Sequence, residues 1–203
     1  MSARGTDRLT SAYTEFAAAE GLHVLCREFK VYVQVCNPYL LVGADNLYPL
    51  QIAVANIIKD AEHDDTMIER LLEFKSFSDK ALQTAFIDPK NQEPNQTFSY
   101  ALTDAFAFGF KARKNKPAEL IAKYLDRLMR RGQRDMSDGD FDALLDSVLA
   151  LYRYTDDKDV FRAFYHRALA RRLLLERSAS DDFEKAMLKK LKESQYRSFI
   201  GCF

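Results

Sequence analysis

The chain has 203 residues, 47% of them hydrophobic and 30% charged, and its 30 basic side chains balance 30 acidic ones to a formal net charge of zero. That length supports one large domain or two small ones with a true core, and the charge balance excludes an overall pull toward nucleic acid or anionic membrane. Seven glycines and five prolines are few for a turn-rich chain, so an all-β fold is disfavoured and a mostly helical one expected.

In chain order, Leu9, Tyr13 and Phe16 predict a short helix, and Leu22, Leu25, Cys26, Phe29 and Val33 a second one after Gly21. Val31, Val33 and Val35 also alternate like a strand; the helical period running into them decides for helix. Residues 37–57 read as irregular, with Asn, Pro, Gly and Asp among apolar side chains, a long structureless stretch for a compact domain. Met67, Ile68, Leu71, Leu72, Phe74, Ser78, Leu82, Ala85 and Phe86 then predict one long helix, closed by Asp88-Pro89 because the residue before proline leaves the helical region.

After a polar link, Phe98, Leu102, Phe106 and Phe110 mark a helix over 97–111. Pro117 and Glu119 open the next, carrying Leu120, Ile121, Tyr124, Leu125 and Leu128. Ser137 with Asp140 resembles a capping box ahead of Phe141, Leu144, Leu145, Val148, Leu151 and Tyr152. Asp156 or Asp157 is expected to cap the helix bearing Val160, Phe161, Phe164, Tyr165, Ala168, Leu169 and Leu173, which reads as the clearest amphipathic helix of the chain. Ser180 caps a last one with Phe183, Met187, Leu188 and Leu191. The expectation is all-α: six to eight antiparallel helices, each burying one face.

The search for chemistry returns no catalytic, cofactor-binding or metal-ligating residues. His23, His63 and His166 are far apart and have no partner at ligand spacing. Aligning Gly139 with the glycine of a calcium loop puts Arg134 at the first ligand position and Leu145 at the bidentate one, so the acids around it read as helix caps. No glycine-rich phosphate loop occurs. Ser178 and Ser180 near Asp181 and Asp182 lack a nearby histidine or a G-x-S-x-G elbow and read as capping residues. Cys26, Cys36 and Cys202 are odd in number and lack C-x-x-C spacing, which points to a reducing compartment, cytoplasmic and/or nuclear. There the sequon at Asn95 would not meet the glycosylation machinery. Arg4, Asp7 and Arg8 precede any apolar run, unlike a secretory signal. Turn residues break the apolar stretch 31–58, so no membrane-spanning helix is expected. The basic clusters Arg130, Arg131, Arg134, then Arg171, Arg172, Arg177, then Lys185, Lys189, Lys190, Lys192 read as solvated faces or a docking surface for an acidic protein patch. A helical nucleic-acid-binding module using this basic second half is the competing reading.

Two linked motifs carry a resemblance. Lys158-Asp159-Val160-Phe161 leads into Phe164-Tyr165, Leu169 and Arg172-Leu173, and is followed by Ser178-Ala179-Ser180-Asp181-Asp182 with Glu184, Met187, Lys190 and Leu191. At this spacing the sequence resembles the cullin family, and residues 115–124 and 65–75 look most like its fourth subfamily. The resemblance spans roughly residues 9–193 apart from the irregular stretch. It implies an elongated helical-repeat stalk ending over 1–130, the start of a helical bundle over 131–193, and a divergent tail over 194–203. It implies a non-catalytic scaffold of a cullin–RING ubiquitin ligase, without cofactor. The partners would be a RING subunit and substrate-receptor or adaptor proteins, held through a full-length parent. The chain then reads as a fragment lacking the adaptor-binding repeats, the RING-binding domain and the winged-helix region. Residues 35–51 and 194–203 leave the family pattern, as retained intron sequence or an imperfect gene model would.

Overall fold

The computed structural model describes residues 3–35, 53–88, 92–132 and 136–200. The helices are α1 (Ala3–Ala18), α2 (Leu22–Val35), α3 (Ala53–Lys59), α4 (Met67–Ala85), α5 (Gln96–Phe110), α6 (Lys116–Arg131), α7 (Asp138–Tyr154), α8 (Lys158–Leu174) and α9 (Asp181–Ile200), with a 3-10 turn at Ala61–His63. Every regular element among the described residues is thus helical, and an isolated bridge pairs Ile87 with Pro94 across the α4–α5 link. The all-α expectation stands, with nine described α-helices instead of six to eight.

The additional element is α3, in a stretch expected to be irregular up to residue 57. Its seven residues are too few for a helical period to register, and turn-forming residues precede it. What folds it is burial: Val54, Ala55, Ile57 and Ile58 are all in the core. Most of the 35–51 stretch lies outside the described residues. At the other end, α9 continues to Ile200, so the expected divergence at 194 does not end the helix.

The chain forms two compact units, Met1–His63 with Glu69–Ala112, and Asp64–Ile68 with Arg113–Phe203. In the first, α2 packs on α5 and α3 lies against both. An aromatic cluster fills this core: Phe86 stacks on Phe98 at 4.5 Å, and Tyr13 meets both edge-on at 5.8 and 5.7 Å, the arrangement that ring quadrupoles favour. Gly109 allows α3 to approach α5, since a Cβ there would stand 2.7 Å from Val54 Cβ. Asn95 of the sequon is a structural cap: Thr97 N–H donates to its Oδ1 at 2.9 Å, and its Nδ2 donates to Tyr13 Oη at 3.0 Å.

In the second unit α8 packs on α6, and α7 packs on α6 and α9. Arg113 donates from Nη1 and Nη2 to the two oxygens of Asp64 at 2.6 and 3.2 Å, fastening segment 64–68 to the approach of α6. Those bonds hold the Asp64 carboxyl below its usual range. Pro117 occupies the first turn of α6 as expected, and Ile121, Ala122, Leu125 and Met129 form a nearly dry stripe behind it.

The expectation for α8 is corrected. Phe161, Tyr165 and Arg172 are buried, while Phe164 and Leu173 are exposed at 36% and 49%, and Leu174 and the following Leu175 at 83% and 53%. At about 100° per residue, positions 161, 165 and 172 share one narrow stripe, which 164 and 173 flank on opposite sides and 174 opposes. An arginine occupies the stripe where a leucine was expected, so α6 is the more strongly amphipathic of the two helices.

Candidate functional site

The motif residues gather where α6, α7, α8 and α9 meet. Lys158, the first residue of α8, donates from Nζ to the carbonyls of Tyr152 at 2.6 Å and Arg153 at 3.2 Å, 4.1 Å above the Tyr152 ring centroid. Those oxygens belong to the last turn of α7, where the dipole favours a cation; Tyr152 O also accepts from the Thr155 N–H at 3.2 Å. Lys158 therefore closes α7. Burial pushes its pKa down to about 8, against the pull of Asp156.

The neighbouring acids divide differently from expectation. Asp157 is the N-cap of α8, yet its side chain makes no capping bond there. Its Oδ2 accepts instead from the Asn115 N–H at 2.7 Å, at the start of α6, where Asn115 has φ +63° and ψ −31°. Asp159 is exposed, 3.5 Å from Arg162 one turn on. The two serine caps form as expected: Asp140 N–H donates to Ser137 Oγ and Asp182 N–H to Ser180 Oγ, both at 3.2 Å.

At the far end of α8 the Arg172 side chain is fully buried. Nε and Nη2 donate to the two oxygens of Glu184 on α9 at 2.7 and 3.0 Å, and Nη1 donates to Asp126 Oδ1 on α6 at 2.5 Å. Ser178 Oγ adds a bond to Glu184 Oε1 at 2.8 Å, and the guanidinium lies 5.7 Å from the Tyr165 ring centroid. Burial opposes the charged guanidinium, but Glu184 and Asp126 outweigh it and hold its pKa above the ordinary value. Tyr165, buried beside Glu184, is pushed up to about 12, desolvation being the larger cause. Three helices are tied through one planar five-donor group.

Two further ties complete the junction. Lys190 on α9 donates to Asp142 at 2.9 Å and Asp146 at 2.6 Å on α7, and Met187 and Leu191 are buried below it. Phe161 stacks 5.6 Å from Tyr165 and meets Tyr152 at 4.3 Å. Of the sequence-selected residues, Lys158, Phe161, Tyr165, Arg172, Ser178, Glu184, Met187, Lys190 and Leu191 thus belong to the junction. Val160 and Leu169 are half-buried on its edge, and Asp159, Phe164, Leu173 and Asp181 face outward. Asp126 and Asp146 are members that sequence reasoning missed, because their partners lie 46 and 44 residues away.

Beside the junction lies an open groove of about 520 Å³ lined by Arg130, Arg131 and Arg177, with Glu176, Ser178 and the α6 C-terminus. Arg130 Nε pairs with Asp126 Oδ2 at 3.0 Å without the alignment of a hydrogen bond. Gly132 has φ +64°, and a Cβ there would stand 2.6 Å from that of Ala179, whose N–H donates to Met129 O at 3.0 Å. Arg134 lies outside the described residues.

The geometry is that of a helical structural module. The motif side chains that belong to the junction cap and tie helices, and no group of three or more His, Cys, Asp or Glu among the described residues is placed to hold a metal. No described helix is long and apolar enough to cross a membrane. Residues 1–201 match the family model described as the cullin alpha solenoid domain, and the chain belongs to the cullin family. The matched span covers 35–51 and 194–201 of the two segments expected to leave the family pattern. Relatives include Cullin-4 of Dictyostelium discoideum, 38% identical over 136 residues, 67% of this chain and 16% of that protein. Cullin-4A of Mus musculus is 34% identical over 194 residues, 95% of this chain and 22% of that protein. Cullin-4A of Homo sapiens is 40% identical over 145 residues, 71% and 18% respectively. These bear out the likeness to the fourth subfamily, and the chain spans 16 to 22% of the length of these relatives.

Proposed function

We propose that this chain acts as a non-catalytic scaffold segment of a cullin–RING ubiquitin ligase, working through a full-length parent that holds a substrate receptor and a RING subunit with its ubiquitin-charged enzyme. In this reading residues 1–130 end the repeat stalk and 131–193 begin the helical bundle, in the cytoplasm or nucleus. The observation that carries it is the Arg172 junction: the family motif is spent on fixing α6, α8 and α9 against one another. A stiff spacer raises the effective concentration of the groups it carries and limits their orientations. The arginine groove supplies a docking surface for an acidic segment of a partner protein. Much of the basic character behind the nucleic-acid reading is internally paired, Arg172 with Glu184, Lys190 with Asp142 and Asp146, and Arg130 with Asp126. The test is co-purification of the tagged full-length parent with a RING subunit and a substrate receptor; recovery of neither refutes the scaffold reading.

A further inference from the structure

Helix α8 turns one face to the core and leaves another open. At about 100° per residue, Phe164, Arg167, Arg171 and Leu174 fall within about 80° of one another, centred about 120° from the buried stripe of Phe161, Tyr165 and Arg172. All four are exposed, and so are Ala163 and Ala170 beside them. Their spacing of three, four and three residues is that of one side of a coiled-coil seam. We propose that this face of α8 docks a helix of a partner protein that carries two carboxylates between two apolar side chains, in the order apolar-x-x-acid-x-x-x-acid-x-x-apolar. The surface shares no residue with the groove beside Arg130 and does not depend on the scaffold reading.

The charges select the partner. Arg162 pairs with Asp159, and Arg172 with Glu184 and Asp126, so those cations are answered within the chain. Arg167 and Arg171 differ: among the described residues neither makes a hydrogen bond, an ion pair or a ring contact. Lys123 Nζ on α6 stands 5.9 Å from the Phe164 ring centroid, but that ammonium is paired with Glu119. Phe164 stays 36% exposed and Leu174 83%. The face is thus two apolar ends around a doubly positive centre.

A second copy of α8 does not fit that pattern. Antiparallel pairing sets Arg167 against Arg171, and parallel pairing sets each arginine against its own counterpart, so like charges oppose each other in the seam either way. An extended acidic tail answers the charges but leaves the apolar ends uncovered. A helix with the stated pattern does both, because its side chains recur with the same three-four period. Its carboxylates meet guanidinium forks that bind such groups bidentately. Ala163 and Ala170 let the two axes approach, and the central charges fix the register.

The experiment titrates the whole chain with a fluorescent helical peptide bearing leucine at the two outer contact positions and glutamate at the two inner ones. A control peptide of the same composition has those glutamates moved to its opposite face. The first should bind at least about tenfold more tightly than the control; equal binding, or none, overturns the proposal. Arg167→Gln/Arg171→Gln should weaken binding at least about tenfold, while removing the exposed charges of Lys189 and Lys192 on α9 by substitution with glutamine should leave it within about twofold. Equal losses in the two variants mean unspecific attraction and overturn it too. Arg167→Glu/Arg171→Glu should bind a peptide with lysine at the inner positions instead, a rescue that a misfolded chain cannot show. Sedimentation of the free chain should give a monomer; self-association abolished by Leu174→Glu assigns the face to a second copy and refutes the partner helix. In the full-length parent, Leu174→Cys should react with a maleimide dye, mapped by mass spectrometry. Protection there means that the parent covers the face with its own chain, and the proposal falls.

Discussion

Replacing Arg172 by methionine is the sharpest test of the junction. The substitution keeps an unbranched chain of similar reach and removes all three bonds to carboxylates. Glu184, whose side chain is 5% exposed, then keeps only Ser178 as a donor, and Asp126, 20% exposed, keeps Arg130. Removing one partner from a buried ion pair costs about 3–5 kcal/mol, because the remaining charge stays buried without compensation. With a urea dependence of about 2 kcal/mol/M for a domain of this size, the midpoint should fall by about 1.5–2.5 M. Urea denaturation followed by circular dichroism measures the shift, and hydrogen exchange on α8 and α9 assigns it to the second unit. The double variant Arg172→Met/Glu184→Met should recover most of the loss, since a buried pair replaced by apolar groups of similar volume is often neutral. A midpoint shift below about 0.5 M for Arg172→Met, or a double variant as unstable as the single one, refutes the account of the cluster as a mutually compensating core.

Three further outcomes follow from other residues. The Lys158 ammonium should titrate near 8, well below its ordinary 10.5; between those values the unfolded chain binds the extra proton, so stability should rise with pH there. Lysine side-chain NMR measures the midpoint, and Lys158→Met should remove this rising contribution. His63 Nδ1 lies 3.0 Å from Asp60, which Arg70 also contacts at 2.8 Å; Asp60 is held down to about 2, its bond to His63 being the larger cause, and His63 is raised by Asp60. The carboxylate contribution is present above its ordinary value of 3.8 and lost as pH falls toward 2, while that of the imidazolium is present below 6.5 and lost as pH rises through its raised value. In an NMR titration Asp60→Asn should lower the His63 midpoint, and an unmoved midpoint contradicts the pairing. Asn95→Ala should cost about 1–2 kcal/mol through loss of the α5 cap and the Tyr13 bond, whereas Thr97→Ala, which also destroys the sequon, should stay within about 0.5 kcal/mol by thermal melting.

The sequence by itself determined what is local. The helices around Met67, Pro117, Ser137 and Ser180 were legible because a cap or a first-turn proline acts within three or four residues, and an apolar period declares itself within one window. The family motif was legible too, since it is a pattern of spacing. Tertiary structure decided what joins distant positions: α3, whose seven residues become helical by being buried; Asp157, which caps α6 and not its own helix; Lys158, which closes α7 from the next helix; and Arg172, placed where an apolar stripe wanted a leucine. Arginine is almost never buried unless it is paired, and the pairing acids here are 12 and 46 residues away. No local window contains the compensation that makes the buried charge stable, so only the packing of α6, α8 and α9 could turn that arginine inward and leave Leu174 in solvent.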